Sequence, residues 1–171
     1  LNLIDVGCGT GFISEYCTPH NYFGADLPHV IAGCALINYP AHFYKYTDVI
    51  NDDLEYLKRF DIVLVNALLD VMEEPINILK KILFNSVDWV VIHRQEITEN
   101  GQTRVIKNPS YGGKTFHSII NRDDFNETIS RCGYRIVMER ECGFSNWENN
   151  GSSFLLKKNR SRAINNLDLK L

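Results

Sequence analysis

Three glycines fall within five residues, Gly7-Cys8-Gly9-Thr10-Gly11, directly after the short strand-like run Leu3–Val6. Glycine accepts a positive φ and lets the backbone approach a ligand with no Cβ in the way. A strand, a glycine bend and a helix start, in that order, give the bend a binding context that a bare glycine count lacks. In open α/β sheets ligands sit beyond the carboxyl ends of the strands, where this bend lies.

The remaining chain alternates in the same sense. Ile13–Cys17 leaves room for a brief helix, stopped by Pro19. Tyr22–Ala25 reads as a second strand ending at Asp26, and Pro28 opens a helix over His29–Ile37. Phe43–Tyr46 is a third strand, with Asp48 just past its end. A short helix over Asp53–Arg59 leads into Asp61-Ile62-Val63-Leu64-Val65, whose continuous apolar run, rich in β-branched residues, fits a strand buried on both faces of a parallel sheet. Glu73-Glu74-Pro75 starts a helix with the apolar stripe Ile76, Leu79, Ile82 and Leu83, and Trp89–Ile92 is a fifth buried strand.

Arg94 to Ser118 reads as a long irregular connection, polar and punctuated by Asn100-Gly101, Asn108-Pro109 and Gly112-Gly113. Connections of this kind are often functional. Asn121 caps a helix bearing Phe125, Ile129 and Cys132, which Gly133 stops. Tyr134–Glu141 and Ser153–Lys157 are the last strands, and the loop over Gly143–Gly151 is too short for a helical crossover, so they pair antiparallel. The pattern predicts one α/β domain over residues 1–158, with a mostly parallel sheet, an antiparallel final strand, helices on both faces, and a polar tail over 159–171. Leu1 opens inside a strand-like run, so a preceding segment is expected.

Composition narrows the function. The chain has 171 residues, 44% of them hydrophobic, enough for one sizeable core. A net charge of −3 gives no basic footprint for nucleic acid or an anionic membrane. No apolar run approaches the ~20 residues a membrane span needs, and no signal peptide is evident. Cys8, Cys17, Cys34, Cys132 and Cys142 are odd in number and lack Cys-x-x-Cys spacing, so reduced thiols in a cytoplasmic protein are expected, with no metal site.

Charge then separates two ligand classes. Dinucleotide enzymes use Gly-x-Gly-x-x-Gly with helix amides facing a pyrophosphate. This chain has one residue fewer before the third glycine, and Asp5 stands two positions ahead of Gly7. A carboxylate there repels a diphosphate and attracts a cationic sulfonium.

Asp5-Val6-Gly7-Cys8-Gly9-Thr10-Gly11-Phe12 resembles the first motif of the class I, Rossmann-like methyltransferases, which use S-adenosyl-L-methionine. The resemblance in order and spacing runs over about residues 1–158. It implies that Asp5, Gly7, Cys8, Gly9, Gly11 and Phe12 border the cofactor. It also implies that Asp26, with Leu27, binds the ribose hydroxyls, and that Asp48, with Val49, lies at the adenine. Asp61–Val71 resembles the fourth-strand motif, which sets Asn66 and Ala67 beneath the methyl donor. Asp70 departs from the pattern, standing where many small-molecule members carry His.

A base is needed when the acceptor is a hydroxyl. His117, before the last helix, is the favoured candidate, and His93, at the end of the fifth strand, the second, since histidine titrates near neutrality. Tyr111 and Arg122 are candidate substrate-binding residues. Thr115–Phe125 is also similar to a subgroup of bacterial methyltransferases associated with surface-polysaccharide genes, which tilts the expected acceptor toward a sugar or another small hydroxylated compound. The rivals are a non-catalytic binding module within an assembly and a nicotinamide-dependent oxidoreductase. Asn66-Ala67-Leu68-Leu69 argues against methylation of nucleic-acid bases, whose enzymes often carry Asn/Asp-Pro-Pro-Tyr there.

Overall fold

The computed structural model describes residues 1–108, 115–142 and 151–159. Strands β1 (Asn2–Val6), β2 (Asn21–Asp26), β3 (Phe43–Tyr46), β4 (Ile62–Asn66) and β5 (Trp89–Thr98) pair in parallel, in the order β3-β2-β1-β4-β5. β8 (Tyr134–Cys142) and β9 (Gly151–Lys158) are antiparallel to each other, and β9 is antiparallel to β5. This is the mostly parallel sheet with an antiparallel end that the alternating pattern predicts.

One face of the sheet carries the larger core. Ile4, Val6, Val63, Val65, Val90, Ile92 and Phe154 pack there against Ile78, Leu79, Ile82 and Leu83 of α3 (Pro75–Asn85) and Phe125 and Ile129 of α4 (Arg122–Arg131). α3 begins on Pro75, whose missing N–H costs nothing at a first helical turn. α4 is capped by Asn121, whose side chain accepts from the backbone N–H of Asp123 and Asp124. The opposite face holds a smaller cluster, in which Leu3, Tyr22 and Leu64 meet Cys17, with Ile13 packed against them. Ile13 belongs to a 3-10 turn, Phe12–Tyr16. The helix expected over His29–Ile37 is continuous but composite: α1 (Pro28–Val30), a π-helical turn (Ile31–Ala35) and α2 (Leu36–Asn38).

The region Arg94–Ser118 differs from its sequence reading. β5 runs on through Thr98, and β6 (Arg104–Asn108) and β7 (Thr115–Asn121) form an antiparallel pair, with β7 joining the end of β5. Gln95, Glu96, Thr98 and Ser118 are polar yet buried. Gln95 Nε2 donates to the carbonyls of Glu96 and Ser118, each at 3.0 Å. Burial of polar groups is tolerated where partners are supplied in this way, so polarity here conceals strands.

Candidate active site

At the carboxyl end of β1 the chain turns through Gly7 (φ 76°), Gly9 (φ 54°) and Gly11 (φ 80°), all in the left-handed region that favours glycine. The backbone N–H groups of Gly7 and Cys8 both donate to the carbonyl of Ala25, at 2.8 and 3.2 Å. Asp26 completes the anchor: its Oδ2 accepts from the Gly9 N–H at 2.8 Å and its Oδ1 from the Leu27 N–H at 2.7 Å. A Cβ on Gly7 would meet Leu68 Cδ1 at 2.8 Å, whereas one on Gly9 would enter open space. The loop thus packs at one glycine and faces an open cleft at another.

Two cavities meet at this loop, and Gly7 lines both. The smaller, of about 90 Å³, lies between Val6, Asp26, Leu27, Asp48, Val49, Leu68 and Met72. Asp48 there organises its own turn: it accepts from the N–H groups of Ile50 and Asn51 and from Asn51 Nδ2, and these bonds hold its carboxyl below the usual carboxylate range. The larger cleft, of about 730 Å³, lies between Gly9, Thr10, Phe12, Tyr16, Ala67 and the β5 pair His93 and Arg94.

His93 is half-buried and hydrogen-bonded through Nδ1 to Ser153 Oγ at 2.7 Å. The Ser153 hydroxyl donates to Cys142 Sγ at 3.6 Å, so its oxygen is left to accept from Nδ1–H. That assignment of protons leaves the His93 Nε2 lone pair as the basic site. Burial, reinforced by the Arg94 charge, holds the imidazole below its ordinary 6.5, so the neutral, proton-accepting form dominates at neutral pH.

Several expected residues stand elsewhere. Asp5 is wholly buried and lines neither cavity; Tyr22 donates to its Oδ2 at 2.9 Å. Burial, opposed by that hydrogen bond, raises its carboxyl to about 7. The direct attraction of a ligand cation to Asp5 is therefore replaced by an internal role beneath the loop. Its neighbour Cys8 lines the larger cleft, with a thiol pushed up to about 12 chiefly by burial. His117 Nε2 pairs with Glu96 Oε2 at 2.8 Å, and His117 borders neither cavity. Arg122 is held by Glu99 at 2.9 Å and Glu139 at 2.7 Å, and lies over the Phe154 ring. Tyr111 lies outside the described residues.

Neither a family model nor a curated protein matches the sequence. Solved structures do match in shape. A methyltransferase from Methanosarcina mazei described as SAM-dependent superposes with a TM-score of 0.68 at 14% identity, covering 92% of each chain. The N-terminal domain of EvdMO1, crystallised in the presence of SAH and D-fucose, gives 0.68 at 15% identity over 93% of this chain and 76% of that one. CalS10, a SAM-bound amino pentose methyltransferase from Micromonospora echinaspora, gives 0.65 at 13% identity over 92% and 83%.

The fold is that of the class I methyltransferases.

Within this methyltransferase fold, Arg94 and Ser153 are among the candidate-site residues that sequence reasoning passed over, with Thr10, Tyr16, Leu68 and Met72. Arg94 sits in a segment read as irregular, and Ser153 reaches the site only because β9 pairs with β5. No local signal announces either.

Proposed function

We propose that the chain is an S-adenosyl-L-methionine-dependent methyltransferase acting on a small hydroxylated acceptor, with a sugar as the favoured class. The observation that carries this reading is the meeting of two cavities at Gly7, across a glycine loop tied to Asp26. The residues fit the cofactor: the cavity of Asp26, Leu27, Asp48 and Val49 takes the nucleoside, and Gly9 leaves open space where a longer ligand passes the loop. Each Asp26 oxygen keeps lone-pair capacity for a ribose hydroxyl beyond its present hydrogen bond. Asn66 and Ala67, with Phe12 and Cys8, border the far side. When bound, the cofactor supplies a methyl group that passes from its sulfonium sulfur to the acceptor oxygen, leaving a neutral thioether.

The chain's own contribution is positioning and proton removal. His93 Nε2 takes the acceptor hydroxyl proton, and Ser153, backed by Cys142, fixes the tautomer that makes this possible. Two of the similar structures, one crystallised in the presence of D-fucose and one described as an amino pentose methyltransferase, support a sugar-sized acceptor. No helix among the described residues is long and apolar enough to cross a membrane, and all five cysteines are free. Both facts support a cytoplasmic setting.

The test is transfer of a labelled methyl group from the cofactor to a panel of monosaccharides and sugar acids. The reading predicts label in at least one product, accumulating at least about a hundredfold more slowly with His93→Ala. Binding of the cofactor without transfer to any hydroxyl compound, in the panel or in cell extract, would reduce the protein to a binding module.

A further inference from the structure

His93 and Arg94 are neighbours in β5, and in a regular strand they would point to opposite faces. They line one cleft because the strand is bulged there. Ile92 pairs with Phe154 and Gln95 with Ser152, so that His93 and Arg94 together stand opposite the single residue Ser153. A bulge of this kind re-aims side chains and is common beside active sites. Arg94 carries a φ of 63°, and the other non-glycine residue with a positive φ among those described is Ala67, at 49°. The Ala67 N–H donates to the His93 carbonyl at 3.0 Å, and both strained residues line the same cleft. Left-handed backbone on a residue with a Cβ persists only where the surroundings impose it, and such strain concentrates where a ligand is held.

The cleft's chemistry gives this strain a purpose. Among the described residues that line it, Arg94 is the one with a permanent charge; Thr10, Asn66 and His93 are polar, and Phe12, Ile13 and Tyr16 form an apolar wall. Phe12 and Tyr16 meet edge to face at 5.4 Å and remain 49% and 70% exposed, a surface suited to the face of a ring. Asp70, whose carboxyl feels the Arg94 charge, is raised from its ordinary value by burial. A guanidinium matches a carboxylate or a phosphate through paired hydrogen bonds.

We propose that Arg94 is the specificity-determining residue of the acceptor subsite, and that the acceptor is a ring compound bearing a carboxylate or phosphate close to the hydroxyl presented to His93. This rests on reading the cleft as a methyl-transfer site.

The test uses the full chain saturated with S-adenosylhomocysteine and titrated with glucuronate, glucose 1-phosphate and neutral methyl glucoside. The expected result is at least a tenfold preference, about 1.4 kcal/mol, for one of the two anions over the neutral sugar, weakening as salt is raised. Which anion is preferred separates the carboxylate from the phosphate source. Arg94→Gly, for which a φ of 63° carries no strain, should erase the preference while still taking up S-adenosylhomocysteine. Arg94→Lys should retain part of it.

Equal binding of anionic and neutral sugars, binding of neither anion, or a preference that survives Arg94→Gly overturns the proposal. These outcomes leave the methyltransferase reading standing. A wild-type chain that never takes up S-adenosylhomocysteine removes both.

Discussion

Two bends of this molecule share one unusual backbone conformation and build it from different residues. At the end of β1, positive φ is carried by Gly7, Gly9 and Gly11; at the ends of β4 and β5 it is carried by Ala67 and Arg94. The first bend is cheap, because glycine adopts that region freely. The second is held by its surroundings: the Ala67 N–H bonds to the His93 carbonyl, and β9 imposes the bulge around Arg94. The two bends accordingly serve different ends of the cleft. In the proposed function the glycine bend shapes the cofactor side of the cleft and the strained bend shapes the acceptor side.

If that division is right, the largest effect belongs to the strained side. His93→Ala should lower kcat by about 10²–10⁴-fold, the range for loss of a positioned base, with cofactor affinity nearly unchanged in calorimetry. His117→Ala should instead spare kcat and lower thermal stability, because it removes a hydrogen bond made to the buried Glu96. A loss of kcat confined to His117→Ala would reverse the two assignments. The pH profile of kcat/KM sharpens the point. An imidazole held below 6.5 stays neutral until the pH falls through its lowered value. The acid limb should therefore lie below pH 6.5 and vanish in the His93 variant.

Beneath the glycine bend, Asp5 offers a test of stability rather than turnover. Its folded value near 7 lies above the ordinary 3.8, so the native state holds a proton that the unfolded chain has released between these values. Its contribution is complete below about pH 4 and is lost as the pH rises toward about 7. Asp5→Asn should remove a pH dependence on the order of 4 kcal/mol across that window, read from urea unfolding at several pH values. An unchanged slope would mean that Asp5 is ionised in the fold.

A smaller effect is expected at Asp26. Asp26→Ala loses the acceptors of the Gly9 and Leu27 N–H groups, and S-adenosylhomocysteine affinity should fall by about 1–3 kcal/mol. Full affinity in the folded variant would show that neither the loop nor the ribose depends on this carboxylate. The smallest change belongs to Ser153→Ala, which frees the His93 tautomer without removing the base. A drop of about 1 kcal/mol in kcat/KM with an altered pH profile is expected, and an unaltered profile would leave Ser153 a packing residue.

The same contrast explains what was legible in the sequence. β1 to β4 were readable because apolar runs, prolines and the glycine spacing are local signals, and Asp26 was singled out by the resemblance to the methyltransferase motifs. The Asn121 cap and the Gly133 stop were readable for the same reason. The outer half of β5 and β7 were not, because Gln95, Glu96, Thr98 and Ser118 look like loop residues until their neighbours satisfy them. Asp5 shows the limit of a charge argument made from spacing alone: the residue is acidic and adjacent to the bend, yet its side chain turns inward to Tyr22. Arg94 and Ser153 meet only through the long-range pairing of β5 with β9, which leaves no trace in either segment.

Calorimetric titration with S-adenosylhomocysteine and with NAD, on the wild-type chain and on Gly9→Val, reaches the central claim most directly. The account predicts binding of the adenosyl ligand and not of NAD. It predicts that the affinity falls by about 100-fold or more, roughly 3 kcal/mol, when a side chain fills the open space at Gly9. Tight NAD binding, or adenosyl affinity indifferent to Gly9→Val in a folded protein, would contradict it.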